Sequence, residues 1–224
     1  MTTENLPVLA ILGGTGDLGT GLARRWAQAG YEVIIGSRTL EKAEAAVADL
    51  REVMAERGVS EVTVQAMSNA DAAAAAEIVT LTVPFSHQVS TLESVRDALQ
   101  GKILIDVTVP LVPPRVARVQ LPPEGSAGQI AQELLGEEVA VVSAFQNVAA
   151  AHLQEGKGVE CDVLVSGNKK DARQQVIKLV EAAGMRGFHA GMINNAAAAE
   201  ALTSVLIAIN KQYGCHAGIK ISGL

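Results

Sequence analysis

The stretch Val8-Leu-Ala-Ile-Leu-Gly-Gly-Thr-Gly-Asp-Leu-Gly19 decides the fold, because an apolar run gives way to glycines and then to a helical pattern. Gly14, Gly16 and Gly19 fit G-x-G-x-x-G, which after a strand and before a helix is typical of a dinucleotide-binding turn. A glycine turn without a ligand is the alternative, and the βαβ context argues against it. The P-loop motif is excluded because Thr20, not Lys, follows Gly19.

The first turn of the following helix is the predicted phosphate site. Backbone N–H groups there have no partner within the helix, and the helix dipole is positive at this end. Gly14 is expected to form the tight turn after the strand, and Gly19 to let the helix pack closely on the sheet. The residues predicted to surround the phosphates are Thr15, Gly16, Asp17 and Leu18.

The end of the second predicted strand, 31–35, indicates which nucleotide is bound. NAD-binding folds of this type carry an acidic residue there for the ribose hydroxyls, but this chain continues with Gly-Ser37-Arg38. Arg38 offers a planar fork to a 2′-phosphate, Ser37 offers a hydroxyl, and Lys42 lies one turn into the next helix. The sequence therefore predicts NADP rather than NAD.

Composition narrows the class of protein. The 224 residues carry a formal net charge of −6, with 49% hydrophobic and 3% aromatic residues, which suits an α/β sheet packed by small helices. The acidic balance and the lack of a basic run argue against nucleic acid and anionic membranes as partners. Met1–Asn5 lack a basic leader, so a cytoplasmic location is expected. Cys161 and Cys215 are predicted to be buried free thiols, and no metal site is indicated.

Alternating strands and helices along the chain predict a doubly wound, mainly parallel α/β sheet of the Rossmann type. We predict an NADP-binding domain over 1–142 and a small C-terminal α+β domain over 143–224. The long apolar helix at 196–210 is expected to pack on the first domain or across a homodimer interface. Further strands are predicted at 62–66, 77–83, 102–107, 138–142, 161–165 and 186–189, and further helices at 40–58, 88–99 and 169–183.

Loops at the carboxyl ends of the strands hold few proton donors. Short-chain dehydrogenase chemistry is disfavoured because neither Tyr31 nor Tyr213 is followed by Lys at the fourth position. His87, just after Pro84, is the one suggestive histidine, and we expect it to contact the cofactor. No side chain is predicted to be an obligatory acid or base. Small and amide residues suit a flat, electron-accepting ring that receives a hydride directly.

Several separate segments resemble the NADPH-dependent reductases of the deazaflavin coenzyme F420. The resemblance covers nearly the whole chain and its total length. It rests on Gly-Gly-Thr-Gly-Asp-Leu-Gly, Ile-Gly-Ser-Arg with Lys42, Leu-Thr-Val-Pro-Phe-Ser-His87, Asp-Val-Thr-Val-Pro-Leu, Glu-Gly-Ser-Ala127, Ser-Ala-Phe-Gln-Asn-Val-Ala149 and Ala-Gly-Ile-Lys-Ile221.

The resemblance implies an oxidoreductase in which the deazaflavin ring lies over the nicotinamide, between a Rossmann domain and a small C-terminal domain. It implies that Thr15 to Leu18 contact the phosphates and that Ser37, Arg38 and Lys42 contact the 2′-phosphate. The nicotinamide would be lined by Val83, His87 and Ala150. The deazaflavin would be faced by Pro84, Asn147, Val148 and the tail near Leu224. Some members of the family carry histidine where this chain has Gln146.

Two other functions remain open from the residues themselves. One is an NADPH-dependent reductase of a small imine or carbonyl substrate, for which His87 would have to donate the proton. The other is a non-catalytic NADP-sensing module, because Gly13, Gly16 and Gly19 also fit G-x-x-G-x-x-G.

Overall fold

In the computed structural model, which describes residues 6–59, 61–155 and 158–224, the strands form one sheet of eight in the order β3-β2-β1-β4-β5-β6-β7-β8. The first six strands are parallel, in the doubly wound order of a Rossmann fold, so the predicted fold class is confirmed. β7 is antiparallel to β6, and β8 is parallel to β7. The strands are β1 Leu9–Leu12, β2 Val33–Ser37, β3 Val64–Ser68, β4 Ile78–Leu81, β5 Ile103–Asp106, β6 Ala140–Ser143, β7 Asp162–Gly167 and β8 Arg186–His189.

Helices cover both faces of the sheet. Short 3₁₀ turns at Phe85–His87, Asp97–Leu99 and Ile193–Asn195 adjoin some of them. The helices are α1 Asp17–Gln28, α2 Leu40–Glu56, α3 Asn69–Ala75, α4 Gln88–Val95, α5 Ala127–Leu135, α6 Ala150–Gln154, α7 Lys170–Ala182 and α8 Ala196–Tyr213. Among the described residues, no helix combines the length and apolarity that a bilayer crossing requires. The prediction about Met1–Asn5 falls outside the described residues.

Some predicted boundaries were wrong, and pairing explains the clearest case. β3 begins at Val64 rather than at Val62, because its register with β2 pairs Val33 with Val64 and Ser37 with Ser68. The predicted helix 88–99 ends as α4 at Val95. Beyond it, N–H groups bond to carbonyls three residues back, so the chain tightens into a 3₁₀ turn.

The core divides between the two sheet faces according to strand alternation. Leu9 and Ile11 of β1 point into the cluster that contains Trp26 of α1. Ala10 and Leu12 point into the other cluster, which contains residues of α3, α4 and α5. The buried Trp26 indole donates a hydrogen bond to the Leu179 carbonyl at 2.8 Å, which joins α1 to α7.

The chain after residue 142 continues the same sheet. β7 and β8 extend its edge, while α8 returns to pack against α5. The division into domains at 142 and 143 therefore remains a prediction. The prediction for the cysteines was half wrong, since Cys161 is buried but Cys215 lies exposed in the tail after α8.

Candidate functional site

The glycine turn between β1 and α1 depends on close approach at several points. Gly13 has φ +68°, so the left-handed residue of the turn lies one position before Gly14, where the tight turn is expected. At Gly14 the reason for glycine is different, because an added Cβ would lie 2.7 Å from the Ile11 carbonyl oxygen. At Gly19 an added Cβ would lie 2.7 Å from the Gly14 Cα, so the helix packs directly on the turn, as predicted.

The start of α1 is open toward a ligand. Gly16 is the N-cap residue, and no side chain of the described residues caps this end. An added Cβ on Gly16 would meet no atom within 4 Å. The N–H groups of the first turn are thus available to an anion, which fits the phosphates of a dinucleotide. Asp17 instead lines a neighbouring cavity together with Arg24.

A cavity of about 470 Å³ runs along the carboxyl edge of the sheet. Its volume is in the range of small-molecule and cofactor sites. The predicted site residues that line it are Thr15, Gly16, Leu18, Ser37, Arg38, Lys42, Val83, Pro84 and His87. Other lining residues were not assigned a contact from the sequence, among them Asn69 and Thr91, and also Val107, Thr108, Val109 and Leu111 of the segment Asp-Val-Thr-Val-Pro-Leu that carries the resemblance.

The missed residues had weak signals. Asn69 follows a strand and opens α3, and its side-chain oxygen accepts the Gly13 N–H at 3.3 Å. The residues from Val107 to Leu111 follow the carboxyl end of β5, where ligands bind in open α/β sheets. Their apolar side chains give this end of the cavity the character that a flat ring requires.

The end of β2 is electropositive. Arg38 and Lys42 are exposed, and neither takes part in the ion pairs found among the described residues. Ser37 is buried at the end of the strand, and its hydroxyl accepts the Thr39 N–H at 3.2 Å. Two unpaired cations beside a cavity without an acidic lining residue fit a 2′-phosphate.

The C-terminal residues predicted at the deazaflavin do not line this cavity. Asn147 is buried and faces α8, where its amide donates to the Ala199 carbonyl at 2.8 Å and to the Thr203 hydroxyl at 3.1 Å. Val148 and Ala150 are half-buried, and Leu224 is exposed. Contact of Asn147, Val148 and Leu224 with a deazaflavin, and of Ala150 with the nicotinamide, remains a prediction.

The loop after β6 is strained where it turns toward these residues. Phe145 has φ 73°, which is unfavourable for a bulky side chain. Its ring is buried and packs edge-on against Trp26, with ring centroids 6.0 Å apart. Aromatic packing therefore holds the backbone in a conformation that directs Gln146 and Asn147 toward α8, and no local sequence pattern indicated it.

A buried carboxylate joins α8 to the start of α5. Glu200 is 1% exposed and accepts the N–H groups of Ala127 at 2.7 Å and Gly128 at 3.0 Å. The pKa of Glu200 is raised to about 8, mainly by burial and in smaller part by nearby Asp106, against the effect of these two hydrogen bonds.

A second buried carboxylate holds the tail. Both oxygens of Asp162 accept hydrogen bonds from the Arg186 guanidinium, at 2.8 and 2.7 Å, and one also accepts the Ile221 N–H at 2.6 Å. The bond from Arg186 is the main reason that the pKa of Asp162 is lowered. Gly218 packs against Cys161, whose thiol donates to the Asn147 carbonyl, so the tail backs the 146–148 loop.

Comparison with known proteins places this architecture among redox proteins. Residues 8–110 match the family model described as NADP oxidoreductase coenzyme F420-dependent. The chain is 39% identical to the F420-dependent NADP reductase of Methanocaldococcus jannaschii, over 96% of this chain and 98% of the relative. It is 41% identical to the protein of the same name from Methanothermobacter thermautotrophicus, over 96% and 95%.

Solved structures extend the comparison. A candidate F420-dependent NADP reductase from Arthrobacter sp. FB24 superposes with a TM-score of 0.81 at 28% identity, covering 97% of this chain and all of that one. An imine reductase from Myxococcus stipitatus reaches a TM-score of 0.61 at 20% identity, over 93% of this chain and 63% of the other. The second likeness shows a shared fold only.

Proposed function

The chain belongs to the family of F420-dependent NADP reductases, and from that premise we propose that it transfers a hydride between NADP(H) and coenzyme F420. The single observation that carries the proposal beyond family membership is the cavity at the carboxyl edge of the sheet. It combines an uncapped helix start, two unpaired cations and an apolar end in one space.

Each part of the cavity has a role in this proposal. The first turn of α1, with Thr15, Gly16 and Leu18, holds the pyrophosphate through backbone N–H groups. Arg38 and Lys42 hold the 2′-phosphate and so select NADP over NAD. Val83, His87 and Ala150 line the nicotinamide. Pro84 faces the deazaflavin together with Asn147, Val148 and the tail near Leu224, which lie outside this cavity.

The bound cofactors supply the redox chemistry, NADPH as hydride donor and the deazaflavin as acceptor. The chain contributes position and the exclusion of water. Apart from Arg38, Lys42 and His87, the described residues that line the cavity have no titratable side chain. We propose that no side chain is an obligatory acid or base, so orientation of the two rings supplies most of the acceleration.

A label-transfer experiment tests this function. NADPH carrying deuterium at the transferable position of nicotinamide C4 is mixed with the protein and oxidised F420. We expect the deuterium in reduced F420, without loss to solvent. Lack of NADPH oxidation by F420, together with turnover of a cyclic imine, would move the imine reductase alternative ahead. Binding of NADPH with no turnover of either acceptor would favour a sensing module.

His87→Ala separates ring contact from proton donation. If His87 only contacts the cofactor, turnover at limiting NADPH should fall about tenfold, in step with NADP affinity, and should recover at saturating NADPH. Loss of a general acid would instead cost about 10²–10⁴-fold with affinity intact. Turnover measured at saturating NADPH distinguishes these results.

We also propose a homodimer that acts in the cytoplasm. The support is α8, on which Val205 is 44% exposed and Leu202 and Ile209 are only half-buried. Burial of these side chains at a two-fold interface would remove the apolar surface from water. Light scattering at micromolar protein should give twice the chain mass of 23.2 kDa, and a value near 23.2 kDa would refute the dimer.

A further inference from the structure

Asp106 lies at the carboxyl end of β5 and is 1% exposed. One side-chain oxygen accepts the Thr108 N–H at 2.8 Å, and the other accepts the Gln88 side-chain amide at 2.5 Å. Its backbone carbonyl accepts the Gln146 side-chain amide at 2.8 Å. A single buried residue therefore contacts the loop after β5, the start of α4 and the loop after β6.

These three segments are the ones that converge on the proposed ring site. Gln88 directly follows His87, Thr108 itself lines the cavity, and Gln146 directly precedes Asn147. Asp106 is not among the residues that line the cavity. It can act on the bound rings only through the positions of its neighbours.

The same neighbours carry unpaired buried oxygens. Gln88 Oε1 and Gln146 Oε1 are buried with no hydrogen-bond partner among the described residues. The amide of Gln88 is directed to Asp106 and the Ala127 carbonyl, and that of Gln146 to the Asp106 carbonyl and the Ser143 hydroxyl. A buried acceptor without a hydrogen bond lowers the stability of the fold. Both side chains nevertheless keep their N–H groups on these partners, so this arrangement has a cost in stability.

Because three loops meet at one buried acceptor, we infer that Asp106 is a positioning residue for hydride transfer, which sets the relative placement of His87, Thr108 and Asn147 around the two rings. The inference rests on the proposed function. A small displacement of reacting rings has a large effect on rate but a smaller one on binding, since affinity is spread over the whole dinucleotide.

Asp106→Asn tests this with almost no change of shape. The new amide nitrogen must face either the Thr108 N–H or the Gln88 Nε2, both of which are donors. Either a loop moves or the Gln88 amide turns over and loses its bond to the Ala127 carbonyl. The contact of Gln146 with the backbone carbonyl is retained. Gln132→Ala is the matched control, because the Gln132 amide joins the carbonyls of Gly136 and Val139 at the opposite end of α5.

Three quantities are measured on full-length protein: the single-turnover rate of NADPH oxidation by F420, the dissociation constants of NADP and F420 by calorimetry, and the melting temperature. For Asp106→Asn we expect the rate to fall about thirtyfold to a hundredfold while both dissociation constants change by less than about threefold. The control should melt earlier but transfer hydride at the wild-type rate.

A single-turnover rate within about twofold of wild type for Asp106→Asn would overturn the inference. Equal losses of rate and of NADP affinity would overturn it as well, because they would indicate general disorder of the site. If Asp106→Asn does not fold, Gln88→Met replaces it, since this change cuts the tether of α4 and also removes one unpaired oxygen. It should slow transfer about tenfold, and an unchanged rate would overturn the inference. Failure of the wild-type protein to reduce F420 would instead contradict the proposed function.

Discussion

Residues 13–19 build the phosphate end of the cavity from a single turn of chain, whereas the loop at 143–148, which lies outside this cavity and carries residues proposed to face the deazaflavin, is held by α8 and by the tail at 217–221. The first segment, which we call the nucleotide wall, presents backbone N–H groups and depends on glycines, which have no Cβ atom. The second, here the C-terminal wall, uses side-chain contacts such as those from Asn147 to Ala199 and Thr203. Buried Glu200 and Asp162 hold α8 and the tail in place.

The difference predicts how each wall responds to change. On the nucleotide wall each residue acts on the ligand directly, so substitutions at well-separated positions should be additive. On the C-terminal wall residues act through one another, so substitutions should be coupled and should change stability and pH dependence before they change nucleotide affinity. Four measurements test this difference between the two walls.

The largest expected effect is on the pH dependence of stability, through Glu200. Its pKa is raised to about 8 in the folded chain, so the folded state holds a proton that the unfolded state releases above about pH 4.5. This favourable contribution is complete at low pH and is lost as pH rises toward 8. Between pH 5 and 8 the wild type should lose about 4 kcal/mol of unfolding free energy from this group.

Glu200→Gln should remove that slope, since the amide does not titrate. The unfolding free energy is measured by urea titration at a fixed protein concentration from pH 5 to 9, with exposed Glu138→Gln as control. The wild type and Glu200→Gln should agree near pH 5 and separate as pH rises, with the wild type the less stable, while the control should follow the wild type. Parallel curves for the wild type and Glu200→Gln would contradict the role given to this carboxylate.

The second effect concerns two glycines of the nucleotide wall. A Cβ at Gly19 would press on the Gly14 Cα at 2.7 Å and the Thr82 hydroxyl at 2.9 Å, so Gly19→Ala should displace α1 and weaken NADP binding about a hundredfold. Gly16→Ala should leave the melting temperature almost unchanged, because its Cβ meets no protein atom, yet should weaken NADP binding. Wild-type NADP affinity in Gly16→Ala would mean that no phosphate lies there.

The third effect is on nucleotide choice. Arg38→Ala removes a charge-assisted bond to the 2′-phosphate, which costs roughly 1.5–3 kcal/mol, or about ten- to a hundredfold in NADP affinity. NAD affinity should not change, and the double variant with Gly16→Ala should show additive losses. Equal wild-type affinities for NAD and NADP in a direct titration would refute the assignment.

The smallest effect is expected at the tail. Asp162→Asn weakens the fork with Arg186 and the bond from the Ile221 N–H, so amides at 217–221 should exchange hydrogen faster. If the tail backs the C-terminal wall, F420 affinity should fall about fivefold with NADP affinity unchanged. Glu160→Gln is the control, because its bond with Lys220 is exposed and of little weight. Unchanged exchange in Asp162→Asn would show that other contacts hold the tail.

Acid should reproduce the effect of Asp162→Asn. Because Arg186 lowers the pKa of Asp162, the contribution of this carboxylate is complete above about pH 4 and is lost as pH falls through the lowered value. Glu200 and Asp162 therefore give opposite signs of pH dependence within one wall.

The sequence by itself determined the features that depend on neighbouring residues. Three such features could be predicted from the sequence: the glycine turn, the missing acid after β2, and the alternation that separates Leu9 and Ile11 from Ala10 and Leu12. Turn geometry and side-chain direction depend on residues that are close together in the chain. The resemblance of separate segments then gave the family. Of the residues predicted around the phosphates, Thr15, Gly16 and Leu18 line the cavity, and their contact with a nucleotide stays a prediction.

Only the tertiary structure decided the contacts between distant residues. Nothing in the sequence places Glu200 on the N–H groups of Ala127 and Gly128, or joins Gln88 and Gln146 at Asp106. A buried polar group needs a hydrogen-bond partner, but the neighbouring sequence does not indicate which one. The partner is determined by the way the sheet brings distant loops together. The start of β3 was misplaced for the same reason, since pairing with β2 and not local alternation sets its register.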